Sequence, residues 1–180
     1  MSKTVLCLLF PGFEEIEAIT PVDLLRRAGA GVTLASLHGE KWVTGRCNIA
    51  VQADADLAGL DGGSFDLLMI PGGPGIKGLR ADGRAAALAA KYALAGKPIG
   101  AICAAPLVLW DAGLLTDKKF TAHSSTHGEL PQALALEPVV MDGGIITARG
   151  AGTAMDFGFA LVARLFGEPA AREIAKAIMV

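Results

Sequence analysis

Short apolar runs bounded by glycine and proline alternate with stretches of helical periodicity along the whole chain, and this alternation restricts the fold more than any other feature. Thr4 to Phe10 reads as a first strand, stops at Pro11-Gly12, and gives way to a helix-like stretch from Glu14 to Ala28. Gly31 to Leu37 is a second strand, and Trp42 to Thr44 with Asn48 to Val51 forms a small β excursion around Gly45. Asp66 to Ile70 is a buried strand ending in Pro71-Gly72-Gly73-Pro74-Gly75, and an alanine-rich helix from Asp82 to Ala95 leads to another buried strand, Ile99 to Ile102. Phe120 to Ala122 is expected as a further strand, and Val139 to Thr147 as a hairpin around Asp142-Gly143-Gly144. Helices over Thr153 to Phe166 and from Pro169 toward Val180 complete the pattern. Strands that alternate with helices in this way predict an α/β fold, with a mostly parallel central sheet between helical layers.

Size and charge narrow the function classes. A chain of 180 residues is most simply one domain over 1–180, long enough to bury about 70% of the surface its unfolded form exposes. The formal charge is −2 and no run of lysine or arginine occurs, so the electrostatic footprint of a nucleic-acid or membrane binder is missing. Small molecules or a second copy of the chain are the expected partners. The first ten residues carry one basic residue and an apolar run too short for a signal-peptide core or a membrane span. Cysteines at 7, 47 and 103 are too scattered for a disulfide framework, and no Cys-x-x-Cys pair suggests zinc or redox exchange. A reducing cytoplasm is the expected compartment.

One stretch carries chemistry. In Pro98 to Leu107 an apolar strand stops at Cys103, and from Ala104 the residues suit a helix ending near Gly113. Cys103 is therefore expected in a strand-to-helix elbow, where orphan N–H groups and the helix dipole favour a thiolate. On local sequence two readings stand side by side: this one, and an ordinary buried apolar cysteine. Open α/β sheets build their sites beyond the carboxyl ends of the strands. Four pieces meet that description: the Gly72-Gly73 turn, with amides for an anion; the Cys103 elbow; His123; and Glu17 on the first helix. Glu14 and Glu15 suit a solvated first turn that complements the helix dipole, whereas Glu17 shares a face with Thr20, Pro21 and Leu24 and is expected to point inward. Pro21 should kink that helix or leave a carbonyl free. The Pro-Gly-Gly turn lacks the spacing of a phosphate loop or a dinucleotide fingerprint. His123 also admits a purely structural role; His38 and His127 read as loop residues, Cys7 as strand core and Cys47 as a turn-adjacent thiol.

Several separated motifs resemble a known family. Phe13-Glu14-Glu15-Ile16-Glu17, Pro21 to Gly29, Pro71-Gly72-Gly73, Ala101 to Pro106, His123 and Thr147 to Thr153 occur in the order found in the ThiJ/PfpI superfamily, closest to the branch of the parkinsonism-linked protein deglycase, the DJ-one branch. The resemblance covers essentially the whole chain. It implies a flavodoxin-like three-layer sandwich related to class I glutamine amidotransferases, and a homodimer. Cys103 would be the reactive thiol, Glu17 its hydrogen-bonding carboxylate and His123 a looser third member. Gly72, Gly73 and Ala104 would line the oxyanion and substrate site, with no metal or other cofactor.

Departures sharpen this reading. Ser124 follows His123 where animal members usually carry proline. Ala104 stands where the peptidase-like branch has histidine, which argues against a Cys-His protease, and His127-Gly128-Glu129 falls too soon after Cys103 for the amidotransferase His-x-Glu. The resemblance implies cofactor-independent, cysteine-dependent conversion of 2-oxoaldehydes such as methylglyoxal and glyoxal to 2-hydroxy acids, a glyoxalase III-type activity, or deglycation of their early adducts on amines. The alternative is an oxidative-stress sensor with a chaperone-like role, its Cys103 oxidised to sulfinate.

Overall fold

The computed structural model describes residues 2–61 and 64–180. Met1, one of the ten N-terminal residues considered above, lies outside the described residues. The first half contains β1 (Thr4–Leu9), α1 (Glu15–Arg27), β2 (Gly31–Ser36), β3 (Trp42–Thr44), β4 (Ala50–Gln52), β5 (Ala55–Asp56) and β6 (Leu67–Ile70). The second contains α2 (Ile76–Asp82), α3 (Arg84–Leu94), β7 (Ile99–Ile102), α4 (Pro106–Asp111), β8 (Val139–Asp142), β9 (Ile145–Ala148), α5 (Ala154–Phe166) and α6 (Glu168–Ala177). The sheet runs β5-β2-β1-β6-β7-β9-β8, and every pairing in it is parallel except β8 with β9. This is the α/β sandwich predicted from the alternation. Val5 to Leu9, Leu67 to Ile70 and Ile99 to Ile102 are buried along their whole length, which is why they read as continuous apolar runs rather than alternating ones. Helices α1, α5 and α6 pack together in one layer, and α2, α3 and α4 in the other.

Chain order reverses between β1 and β6, so a crevice opens at the carboxyl ends of these strands and of β7. The helix that follows β1 and the turns that leave β6 and β7 carry Glu17, Gly72 and Cys103. The separate β3-β4 hairpin is tied to this end by the Gly12 N–H, which donates to the Thr44 carbonyl at 2.9 Å, and by the Arg46 N–H, which donates to Phe13 at 2.8 Å.

Two local expectations are corrected. A helix, α2, begins directly after the Pro-Gly-Gly turn, and Asp82 closes it rather than opening the next; Gly83, at φ 78°, separates α2 from α3. Phe120 to Ala122 does not join the sheet, because the free edge of β9 is already taken by β8. Its polar groups bond elsewhere: the Thr121 N–H donates to Thr147 Oγ1 at 3.0 Å, and Leu134 donates to the Phe120 carbonyl at 2.9 Å. The two-residue edge strand β5 is too short to show a period. Helix α1 continues through Pro21, whose ring nitrogen has no proton to return to the Glu17 carbonyl.

Helix α5 approaches α1 closely at Gly158, where a Cβ would stand 2.5 Å from Leu24 Cδ1 and 3.1 Å from Pro21 Cα. An exposed mid-helix glycine gains up to about 1 kcal/mol on replacement by alanine. Here overpacking, which costs about 1–3 kcal/mol, outweighs the gain. Gly158→Ala is therefore expected to lower the urea midpoint at unchanged m-value, and a raised midpoint would show that the two helices part freely.

Candidate active site

Cys103 sits one residue beyond β7 with φ at +65°, a region a side-chain-bearing residue occupies only under constraint. The constraint is visible on both sides. Its N–H donates to the Ala148 carbonyl at 2.8 Å, and its carbonyl accepts the His123 N–H at 2.9 Å. The elbow leaves the thiol half-buried, with the backbone N–H groups of Gly73 and Ala104 directed at the sulfur.

Glu17 lies on the inward face of α1 and is 1% exposed. Its Oε2 accepts the Gly72 N–H at 2.9 Å, and the carboxyl also shares a hydrogen bond with the Cys103 thiol. Gly72 is the pivot of this contact. A Cβ there would stand 2.8 Å from each of Cys103 Cβ, Glu17 Oε2 and the Ile102 carbonyl oxygen, so only glycine lets the three meet. The Gly72 amide is thus spent on Glu17 and is not offered to a ligand. The amides of Gly73 and Ala104 are the ones that face the sulfur.

Protonation of the pair differs from what the elbow alone suggests. Burial pushes Glu17 up to about 7. Burial, followed by the charge of Glu17, pushes the Cys103 thiol up to about 12. The helix after the elbow spans only Pro106–Asp111, so its dipole is weak beside these effects. The pair therefore titrates as a unit, losing its first proton near neutrality. Once that proton has gone, one remains to be shared: either thiol beside carboxylate, or thiolate beside carboxylic acid. The second arrangement is the nucleophilic one, and it keeps a proton donor against the sulfur. A thiolate is available here only because Glu17 can hold the proton.

His123 follows the extended 120–122 segment and lines the same cavity of about 550 Å³ as Cys103. Its Nδ1 accepts the Ser125 N–H at 3.2 Å and lies 2.9 Å from Ser125 Oγ, which leaves Nε2 as the protonated nitrogen of the neutral ring. Arg46, Lys77, Arg80 and Glu129 also line this cavity. Sequence reasoning assigned none of them to the site, because they come from three separate segments of the chain, and only Lys77 and Arg80 share one, helix α2. Arg80 is held by Asp111 at 2.7 Å and by Glu129 at 2.9 Å, so Glu129 belongs to an ion-pair network rather than to a His-x-Glu couple. His38 is exposed beside Asp82, His127 approaches the Ala122 carbonyl, Cys7 is fully buried and Cys47 exposed.

Glu14 and Glu15 are not the solvated cap their position suggests. They are 7% and 6% exposed, because the turn from Gly45 to Ile49 folds over the start of α1. Glu14 pairs with Arg46 at 3.3 Å.

The raised affinity of Glu17 for its proton sets a pH dependence of stability. An unfolded carboxyl of this kind ionises at 4.5 and the folded one at about 7. Between those values the folded state holds more protons than the unfolded, so stability falls as pH rises through the window, by about 3 kcal/mol in all. Glu17→Gln removes this dependence. Urea unfolding of both proteins from pH 4.5 to 7.5 is expected to show the wild type losing stability relative to the variant, and parallel profiles would contradict the assignment.

Known proteins share this fold. Residues 3–164 match the DJ-1/PfpI family. Drosophila melanogaster protein dj-1beta is 37% identical over 186 residues, covering 100% of this chain and 98% of the fly protein, and its crystal structure superposes with a TM-score of 0.93. The deglycase TK1284 of Thermococcus kodakarensis is 32% identical over 82% of this chain and 90% of its own. The oxidised form of Toxoplasma gondii DJ-1 is 30% identical with a TM-score of 0.92, covering 99% of this chain and 98% of that one. With this fold and near-complete coverage on both sides, the chain belongs to the DJ-1/PfpI family.

Proposed function

We propose that the protein is a cofactor-independent enzyme that converts 2-oxoaldehydes such as methylglyoxal and glyoxal to 2-hydroxy acids through a covalent adduct on Cys103, and that deglycation of their early adducts on amines uses the same attack. The observation that carries this reading is the buried Glu17–Cys103 pair, opening onto a cavity of about 550 Å³ with two backbone N–H groups aimed at the sulfur. Membership of a family with a deglycase among its relatives supports it.

The steps follow from the shared proton. The Cys103 thiolate adds to the aldehyde carbon, the carbonyl electrons move to oxygen, and Glu17 delivers its proton to give a hemithioacetal. The amides of Gly73 and Ala104, which face the sulfur, would donate to the developing oxyanion. Glu17, now a carboxylate, removes the hydrogen from the former aldehyde carbon and returns it to the neighbouring carbon through an enediol, leaving a 2-hydroxyacyl thioester. Water cleaves that thioester, releasing the 2-hydroxy acid and restoring the thiol. A carboxyl that ionises near 7 suits both directions of proton transfer. His123, exposed and lining the same cavity, would orient the substrate carbonyl or the attacking water.

A second reading rests on the half-buried thiol and on the likeness to an oxidised DJ-1. Peroxide would carry Cys103 to the sulfinate, which protonated Glu17 can hydrogen-bond. The exposed Ile16, Ile19 and Met155 form an apolar face where α1 meets α5, which supports a homodimer. Free cysteines throughout suit a reducing cytoplasm, and no helix among the described residues is long and apolar enough to cross a membrane.

Lactate formation from methylglyoxal in metal-free buffer is expected to fall at least about 100-fold in Cys103→Ser and in Glu17→Gln; full turnover in either variant would refute the mechanism. Alkylation of Cys103 by iodoacetamide is expected to rise through pH about 7 as the pair loses its first proton, and Glu17→Gln should lose that step. Under mild peroxide, a gain of about 32 Da confined to Cys103, with turnover absent in fresh protein, would favour the sensor reading instead.

A further inference from the structure

The carboxyl group of Glu15 is only half accounted for. Its Oε1 accepts the Cys47 N–H at 2.8 Å and the Ile49 N–H at 3.3 Å, which explains why the turn closes over it. Oε2 is buried and has no hydrogen-bond partner among the described residues, although the residue is 6% exposed. A buried carboxylate oxygen without a donor is costly. Gly45 makes the room: a Cβ there would overlap the Glu15 carboxyl carbon. Asn48, at φ +64°, turns the chain so that Cys47 stands beside the acidic pair. One carboxylate oxygen each from Glu14 and Glu15 and the Cys47 sulfur lie within 4.8 Å of one another.

We propose that Glu14, Glu15 and the Cys47 thiolate form a binding site for a thiophilic divalent cation of the zinc class, separate from Cys103 and open to solvent on the Cys47 side. A thiolate with two carboxylates excludes the hard cations, which take oxygen alone, and suits a borderline ion that accepts both. Ligands about 2.0–2.3 Å from a tetrahedral ion stand roughly 3.3–3.8 Å apart. The three ligand atoms already lie within 4.8 Å of one another, and rotation of the exposed Cys47 side chain would bring them to the tetrahedral spacing. Binding releases the Cys47 thiol proton to water, and water completes the coordination. The charge of Glu14 is held meanwhile by Arg46 at 3.3 Å; the cation takes over that role and frees the guanidinium, which also lines the Cys103 cavity.

The test uses Cys103→Ser protein, in which Cys47 is exposed and the other remaining cysteine, Cys7, is buried. Co²⁺ is the spectroscopic probe and Zn²⁺ the competitor. One Co²⁺ per chain with a thiolate-to-cobalt charge-transfer band, bleached by Zn²⁺, is expected. The band should vanish in Cys103→Ser/Cys47→Ser. Adding Glu15→Gln, which keeps an acceptor for the two turn amides, should weaken Zn²⁺ binding in equilibrium dialysis at least about tenfold. Absence of the band, its survival without Cys47, or unchanged Zn²⁺ affinity in the Glu15→Gln protein would each overturn the proposal. None of these results bears on turnover at Cys103.

Discussion

The hydrogen bond between Glu17 and Cys103 is the contact on which the rest of the site depends, and it exists because a glycine stands between them. With a Cβ at Gly72 the carboxyl oxygen, the cysteine and the Ile102 carbonyl would all be overrun at 2.8 Å. Removing that one side chain lets the turn after β6, the elbow after β7 and the helix after β1 converge. The same approach dries the pair, and drying raises the proton affinity of both groups. The protonation of this thiol is thus a property of two residues sharing a proton, not of a cysteine alone at the start of its helix.

The scaffold supplies this geometry cheaply. Parallel strands that end in register place successive turns side by side, and the reversal of order between β1 and β6 opens the crevice where those turns meet. The strained backbone of Cys103 is held by hydrogen bonds to Ala148 and His123, so the energy stored at φ +65° is offset by the β9 end and the 120–123 segment. His123 is therefore tied to the elbow through its backbone as well as facing the same cavity with its ring.

The start of α1 shows how one segment serves two environments. Glu17 faces the sheet and meets sulfur, while Glu14 and Glu15, on the preceding turn, are covered by the 45–49 turn beside the β3-β4 hairpin. Arg46 links the two, pairing with Glu14 while lining the Cys103 cavity. A change of charge at the outer glutamates is consequently felt at the inner one, where Glu14 already raises and Arg46 already lowers the proton affinity of Glu17.

By itself the sequence determined the α/β class, because buried parallel strands such as Val5 to Leu9 and Ile99 to Ile102 must be apolar on both faces. It also placed Cys103 at a strand end and turned Glu17 inward, since both follow from local periodicity and from small residues at the elbow. Local pattern fails where partners are distant in the chain. It took Glu14 and Glu15 for solvated residues, because the turn that buries them lies some thirty residues on. It expected a strand at Phe120 to Ala122, because an apolar triplet does not reveal that β8 already occupies the edge of β9. Which amide of the Pro-Gly-Gly turn serves Glu17 and which the sulfur, and how strongly the pair holds its proton, were decided only by the tertiary structure. Both depend on distances and desolvation that exist only once a helix and two separate turns have packed together.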